Sequence, residues 1–124
     1  MLPYDTFERL VVEALDSLPP FFQEKMSNVE VLVEDDPDPQ LLAEMGMNPV
    51  GDTLLGLYQG IPLTERYNYN LVMPDTITLY QKPIEAVAGG NFDRIRDEVR
   101  HTVIHEIAHH FGIDDDRLIE LGAY

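Results

Sequence analysis

His105-Glu106-Ile107-Ala108-His109, followed by His110-Phe111-Gly112-Ile113-Asp114-Asp115, is the stretch that decides how this chain is read. Upstream of it, Ile95, Val99, Val103, Ile107 and Ala108 recur near one side of a helix predicted over residues 92–111. The break at Gly89-Gly90-Asn91 precedes that helix, and Gly112 stands where a left-handed residue closes one. On such a helix, histidines four residues apart differ by only about 40° of rotation, so His105 and His109 project from one face. Glu106 lies one residue round from them.

Two imidazoles so placed can reach one zinc ion at about 2.0–2.1 Å. A carboxylate beside the ion can take a proton from a water that the ion activates, which is the H-E-x-x-H arrangement of zinc metalloproteases. Average composition yields a bare H-E-x-x-H by accident in roughly one chain of this length in a few hundred. Gly112 and Asp115 extend the pattern to H-E-x-x-H-x-x-G-x-x-D. A residue at position 115 could not face the metal if the helix simply continued. A positive φ at Gly112 ends the helix and turns the chain back, which brings Asp115 within reach as a third ligand. Two histidines and one carboxylate leave a coordination position open, as catalytic sites do. Asp114 and Asp116 compete with Asp115, although Asp114 reads as the N-cap of a last helix over residues 115–121. His101, one turn before His105, is near enough to touch the site but reads as a solvent-facing or hydrogen-bonded histidine. His110 points about 100° away from His109 and is not expected to be a ligand.

The remainder reads as a single α+β domain over residues 1–124. Asp5-Thr6-Phe7-Glu8 has the form of a capping box. Phe7, Leu10, Val11, Ala14, Leu15 and Leu18 follow as the buried stripe of an N-terminal helix that Pro19-Pro20 stops. Residues 20–26 add a short turn. Val29, Val31 and Val33 alternate with Glu30, Leu32 and Glu34 as a half-buried strand. Asp38, Pro39 and Gly46 bracket a short helix over residues 39–45. Leu54–Tyr58, Tyr67–Met73 and Thr76–Tyr80 read as further strands, with Ile77 and Leu79 inward. The sheet is therefore expected to be small, mixed or antiparallel, and packed on the long helix.

Composition excludes more than it selects. The 124 residues carry 23 acids against 8 Lys and Arg, a formal charge of −15, which argues against phosphate backbones and anionic membranes as partners. With no cysteine, any metal is held by nitrogen and oxygen, and a reducing cytoplasmic setting is expected. Met1-Leu2-Pro3-Tyr4-Asp5 has no basic region before a long apolar run, so no signal peptide is expected. Glu34-Asp35-Asp36-Pro37-Asp38 lacks the ligand spacing, central Gly and closing Glu of a calcium loop and reads as a solvated turn. Arg94, Arg96 and Arg100, interleaved with Asp93, Asp97 and Glu98, read as an ion-paired face. Tyr58, Tyr67, Tyr69 and Tyr80 are core or sheet-surface residues, one of which could stabilise an oxyanion.

Residues 102–115, together with Gly51-Asp52-Thr53-Leu54-Leu55-Gly56-Leu57-Tyr58 and Gly60-Ile61-Pro62-Leu63-Thr64-Glu65-Arg66, resemble the small bacterial zincin-like metallopeptidase family. The resemblance covers nearly the whole chain. It implies a minimal zincin fold, zinc (Zn2+) on His105, His109 and Asp115, and Glu106 as general base. The wider metzincins use a third histidine and a methionine turn below the metal. Here only nine residues follow Asp115, and the last methionine is Met73. An aspartate in place of histidine adds negative charge at the ion, which favours a hard divalent cation.

The expected activity is zinc-dependent hydrolysis of a peptide or unfolded protein substrate, with the peptide extended along either Tyr67–Met73 or Leu54–Tyr58. A catalytically silent, metal-stabilised binding domain is the alternative. A metal-dependent ribonuclease is the third reading, opposed by Glu106 and by the acidic charge.

Overall fold

The computed structural model describes residues 1–48, 53–60 and 74–122. The expected strand Tyr67–Met73 lies outside them. Helix α1 (Tyr4–Asp16) leads to α2 (Pro20–Lys25), a 3-10 turn (Met26–Asn28) and strand β1 (Val29–Glu34). Then come α3 (Pro39–Glu44), β2 (Gly56–Gln59), β3 (Asp75–Tyr80), α4 (Gln81–Ala88), α5 (Phe92–Phe111) and α6 (Asp115–Glu120). Among the described residues no helix is long and apolar enough to cross a membrane.

The three strands form one mixed sheet in the order β1-β3-β2. β1 runs parallel to β3, with Val31 opposite Ile77, and β2 runs antiparallel to it, with Tyr58 opposite Ile77. The α+β expectation holds. β1 shows the expected half-buried alternation. β3 corrects a simple alternation: Ile77 and Leu79 are buried, but so are Thr78 and Tyr80. As the central strand, β3 has a neighbour on each side and helices packed against it, so no face of its second half meets water.

Helix α5 occupies the predicted residues 92–111 and carries the core. Ile95, Val99, Val103 and Ile107 are fully buried at successive i,i+4 positions, and each such side chain contributes about 1.5–3 kcal/mol. Around them pack Phe7, Leu10, Val11, Ala14 and Leu18 of the α1 region, Phe22 of α2, and Ile77 and Leu79 of β3. Asn91 starts the helix by accepting a hydrogen bond from the Arg94 amide at 3.1 Å.

Three local expectations are revised or extended. Helix α1 starts at Tyr4 with Pro3 as its cap, and no side chain caps it. The Pro3 carbonyl already accepts the amides of Thr6 and Phe7 at 3.1 Å each, so Asp5 falls in the first turn, where its charge favours the positive helix end. Helix α4 has no counterpart in the sequence reading. Its Pro83 lies in the first turn, where no amide is needed, and Gly89 closes it at φ 68°. Residues 20–25, expected as a turn, form a helix with Pro20 in its first turn. The buried Gln81 of α4 ties the N-terminal segment down. Its Nε2 donates to the Leu2 carbonyl and to Glu85, which in turn accepts from the Leu2 amide.

The acidic turn is solvated, as expected. Asp38 caps α3 by accepting from the Gln40 amide, and Asp36 meets Lys82 at 3.5 Å on the surface. Of the arginine face, Arg96 bridges Asp93 on its own helix and Glu13 on α1.

One glycine fixes how closely β2 approaches α5. A Cβ on Gly56 would lie 2.7 Å from Thr102 Cγ2 and 3.1 Å from the Thr78 carbonyl oxygen. Thr102 is β-branched and buried, so its methyl cannot swing away. Gly56→Ala should therefore lower stability by about 1–3 kcal/mol, read as a lower urea midpoint. Thr102→Ser removes the methyl and should restore part of that loss in the double variant. Additive losses would show that the two positions do not touch.

Candidate active site

The exposed side of α5 carries His105 and His109, and Glu106 beside them is half-buried and turned toward β2. The reason lies in helix phase: Ile107 and Ala108 point into the core, which leaves 105 and 109 on the outer face and 106 on the flank. Strand β2 meets that flank. The Tyr80 amide donates to the Leu55 carbonyl at 3.0 Å, so the alternation of an antiparallel ladder directs the backbone groups of Leu55, Leu57 and Gln59 toward β3. Gly56, Tyr58 and Gly60 then direct theirs away from it. Accordingly the Tyr58 amide donates to Glu106 Oε1 at 3.0 Å. The close approach permitted by Gly56 is what brings that amide to the carboxylate.

Tyr58 holds more than Glu106. Its ring stacks on His110 with centroids 4.0 Å apart, and its hydroxyl donates to Asp75 Oδ2 at 2.6 Å. His110 is thereby occupied with β2, in keeping with its expected orientation away from His109. Phe111 meets His110 edge-on, and Lys25 of α2 lies 4.7 Å from the Phe111 ring centroid. These contacts anchor the C-terminal turn of α5. His101 is exposed, and its ring lies 4.2 Å from that of His105.

Helix α5 ends as its sequence predicts. Gly112 takes φ 67°, and the Ile113 amide returns to the Ala108 carbonyl at 2.8 Å. Asp114 caps α6 by accepting from the Arg117 amide at 2.9 Å. Asp115 follows in the first turn of α6, exposed, with no hydrogen bond or ion pair to the described residues. Buried Leu118 pins α6 to the core after the reversal.

The donor chemistry fits zinc: two imidazoles one turn apart on an open face, with a carboxylate uncommitted beyond the turn. Convergence is incomplete, since among the described residues no three His, Cys, Asp or Glu side chains come together as a ligand set. The structure thus brings Glu106 to β2 and sets His105 and His109 one turn apart, and it does not gather Asp115 to them.

A cavity of about 410 Å³ opens beside Glu106 and His109, with Met45, Leu54, Leu57, Tyr58 and His110 completing its walls. Sequence reasoning places Leu54, Leu57 and Tyr58 on a strand, but has no signal for Met45, which arrives from the end of α3. Nor does it foresee the Tyr58 amide on Glu106. Period-2 alternation says which way a side chain points, whereas this contact is made by backbone. Of the tyrosines weighed as oxyanion donors, Tyr58 has its hydroxyl on Asp75, Tyr80 is buried, and Tyr67 and Tyr69 lie outside the described residues.

No curated protein matches the chain. Among solved structures, it is similar to a conserved hypothetical protein from T. thermophilus, at 29% sequence identity and TM-score 0.55 over 89% of this chain and 94% of that one. The profile of the zincin-like metallopeptidases matches residues 26–123, which include the strands, the cavity and the whole H-E-x-x-H helix. By that match, the chain belongs to the zincin-like metallopeptidase family.

Proposed function

We propose that this protein is a zinc-dependent peptidase in which Glu106 is the general base. The observation that carries the reading is the place of Glu106. It adjoins two exposed histidines one turn apart, shares a cavity with His109, and has one carboxylate oxygen held by the Tyr58 amide. His105 and His109 would hold the ion, with Asp115 as the third ligand. Zinc, when bound, supplies a Lewis acid for the scissile carbonyl.

The chain's own residues do the rest. Glu106 takes a proton from the attacking water as its oxygen bonds to the carbonyl carbon, and returns the proton to the amide nitrogen as the C–N bond breaks. The Tyr58 amide fixes the carboxylate through Oε1, leaving Oε2 for the proton. Among the described residues β2 is the edge strand beside Glu106, so of the two edges expected, Leu54–Tyr58 is the one we assign to an extended peptide. The donor set has nitrogen and oxygen ligands only, as zinc in hydrolytic sites accepts.

The alternative is a metal-stabilised binding domain without turnover. Cleavage of an unstructured polypeptide by the zinc-loaded protein decides between them. Glu106→Gln should cut at least about 10²-fold more slowly while retaining the parent's zinc content. Equal cleavage by variant and parent would remove Glu106 from its role. If chelation lowers the melting temperature but nothing is cleaved at any pH, the binding-domain reading holds.

Metal content tests the ligands separately. His109→Ala and Asp115→Ala should each lose zinc on dialysis, measured by elemental analysis. Unchanged content in Asp115→Ala would move the third ligand to another residue.

A further inference from the structure

The histidine spacing on α5 continues upstream of the candidate site. His101 precedes His105 by the same four residues that separate His105 from His109, and the hydrolytic ligand set leaves it out. Both His101 and His105 are exposed, and their ring centroids lie 4.2 Å apart with the planes at 36°. Among the described residues neither ring has a hydrogen bond or an ion pair.

We propose that His101 and His105 form a second metal site, for a divalent transition-metal ion that favours imidazole, and that it competes with the hydrolytic site for His105. It goes beyond the peptidase reading and does not depend on it, since an ion can sit on this pair whether or not the protein hydrolyses anything. Reach is satisfied. Two imidazoles on one tetrahedral ion, each nitrogen at about 2.0–2.1 Å, have ring centres about 5 Å apart. The observed 4.2 Å is within about 1 Å of that, so small side-chain rotations suffice and the helix need not move.

Charge works in the same direction. Asp97 and Glu98 stand one turn before His101, four and three residues back on α5. A carboxylate so placed can accept the N–H of the ring nitrogen that does not bind the ion, which orients the imidazole. The neighbouring Arg96 is engaged by Asp93 and Glu13, so its charge is offset. The chain as a whole carries −15, a field that draws cations in.

The ligand count sets strength and selectivity. No third His, Cys, Asp or Glu joins the pair among the described residues, so water completes the coordination and binding is weaker than at a three-ligand site. Imidazole suits Zn2+, Ni2+ and Cu2+, whereas Mg2+ and Ca2+ prefer oxygen. A neutral imidazole has one lone pair to give, so an ion on this pair takes His105 away from His109. The two sites are alternatives.

The test uses the full chain carrying His109→Ala, which breaks the hydrolytic ligand set and leaves the proposed pair intact. With two protein ligands, the site is read at equilibrium and not after dialysis. Ni2+ alone, titrated by calorimetry at neutral pH, should bind at one equivalent, and excess Mg2+ should not compete. His101→Ala in the same background should weaken binding at least about tenfold, because losing even an outer partner of a ligating histidine costs about 10- to 100-fold. His101 is exposed, so that change leaves the buried face of α5 untouched. No binding to the His109→Ala protein, equal affinity in the two proteins, or competition by Mg2+ overturns the site. Zn2+ gives a second readout: added to the His109→Ala protein, it should shift the ring resonances of His101 and His105 together. Shifts confined to His110, or to His105 without His101, overturn the site as well. Neither readout uses cleavage, so the peptidase reading and this site stand or fall separately.

Discussion

The approach of β2 to α5 is the constraint on which the candidate site depends. At Gly56 the strand comes so near the helix that even a methyl group would strike Thr102 and the Thr78 carbonyl. Two residues along, the same approach delivers the Tyr58 amide to Glu106 at 3.0 Å. The ladder with β3 forces that amide outward, and the helix phase forces Glu106 to the flank. Neither element alone would make the contact. A small loss of packing between them would therefore be felt first at the carboxylate.

Helix α5 performs two tasks on opposite faces. Its inner face, with four fully buried aliphatic residues in a row of i,i+4 steps, holds α1 and the sheet together. Its outer face leaves His105 and His109 open. The aromatic contacts of His110 and Phe111 with Tyr58 and Lys25 fasten the last turn, and the Asn91 cap fixes the first, so the histidines stand on a helix held at both ends. Rigid support of this kind is what a hydrolytic site requires, because misplacement by about 1 Å can cost 10²-fold in rate.

Much of this was legible because local rules and tertiary packing agree. The stripe of α1, the alternation of β1, the bounds of α5, the turn at Gly112 and the Asp114 cap all follow from periodicity and backbone chemistry. Elsewhere local patterns were too weak, or a neighbour in space intervened. Pro3 offers its carbonyl to the first turn of α1, so the Asp5 capping box does not form. Helix α4 is short, and its periodicity is interrupted by Pro83, which the first turn nonetheless tolerates. β3 loses its exposed face because it sits at the centre of the sheet.

By itself the sequence determined the helix that presents His105, Glu106 and His109, together with the reversal that follows it. Both depend on interactions within a few residues: i,i+4 geometry, a left-handed glycine and a capping carboxylate. The tertiary structure decided what those side chains face. The Tyr58 amide on Glu106, the stacking of His110, and the cavity that Met45 shares with Leu54 and Leu57 join residues that are distant along the chain. Such contacts are set by how closely packed surfaces can approach, and no local pattern in the chain encodes that distance.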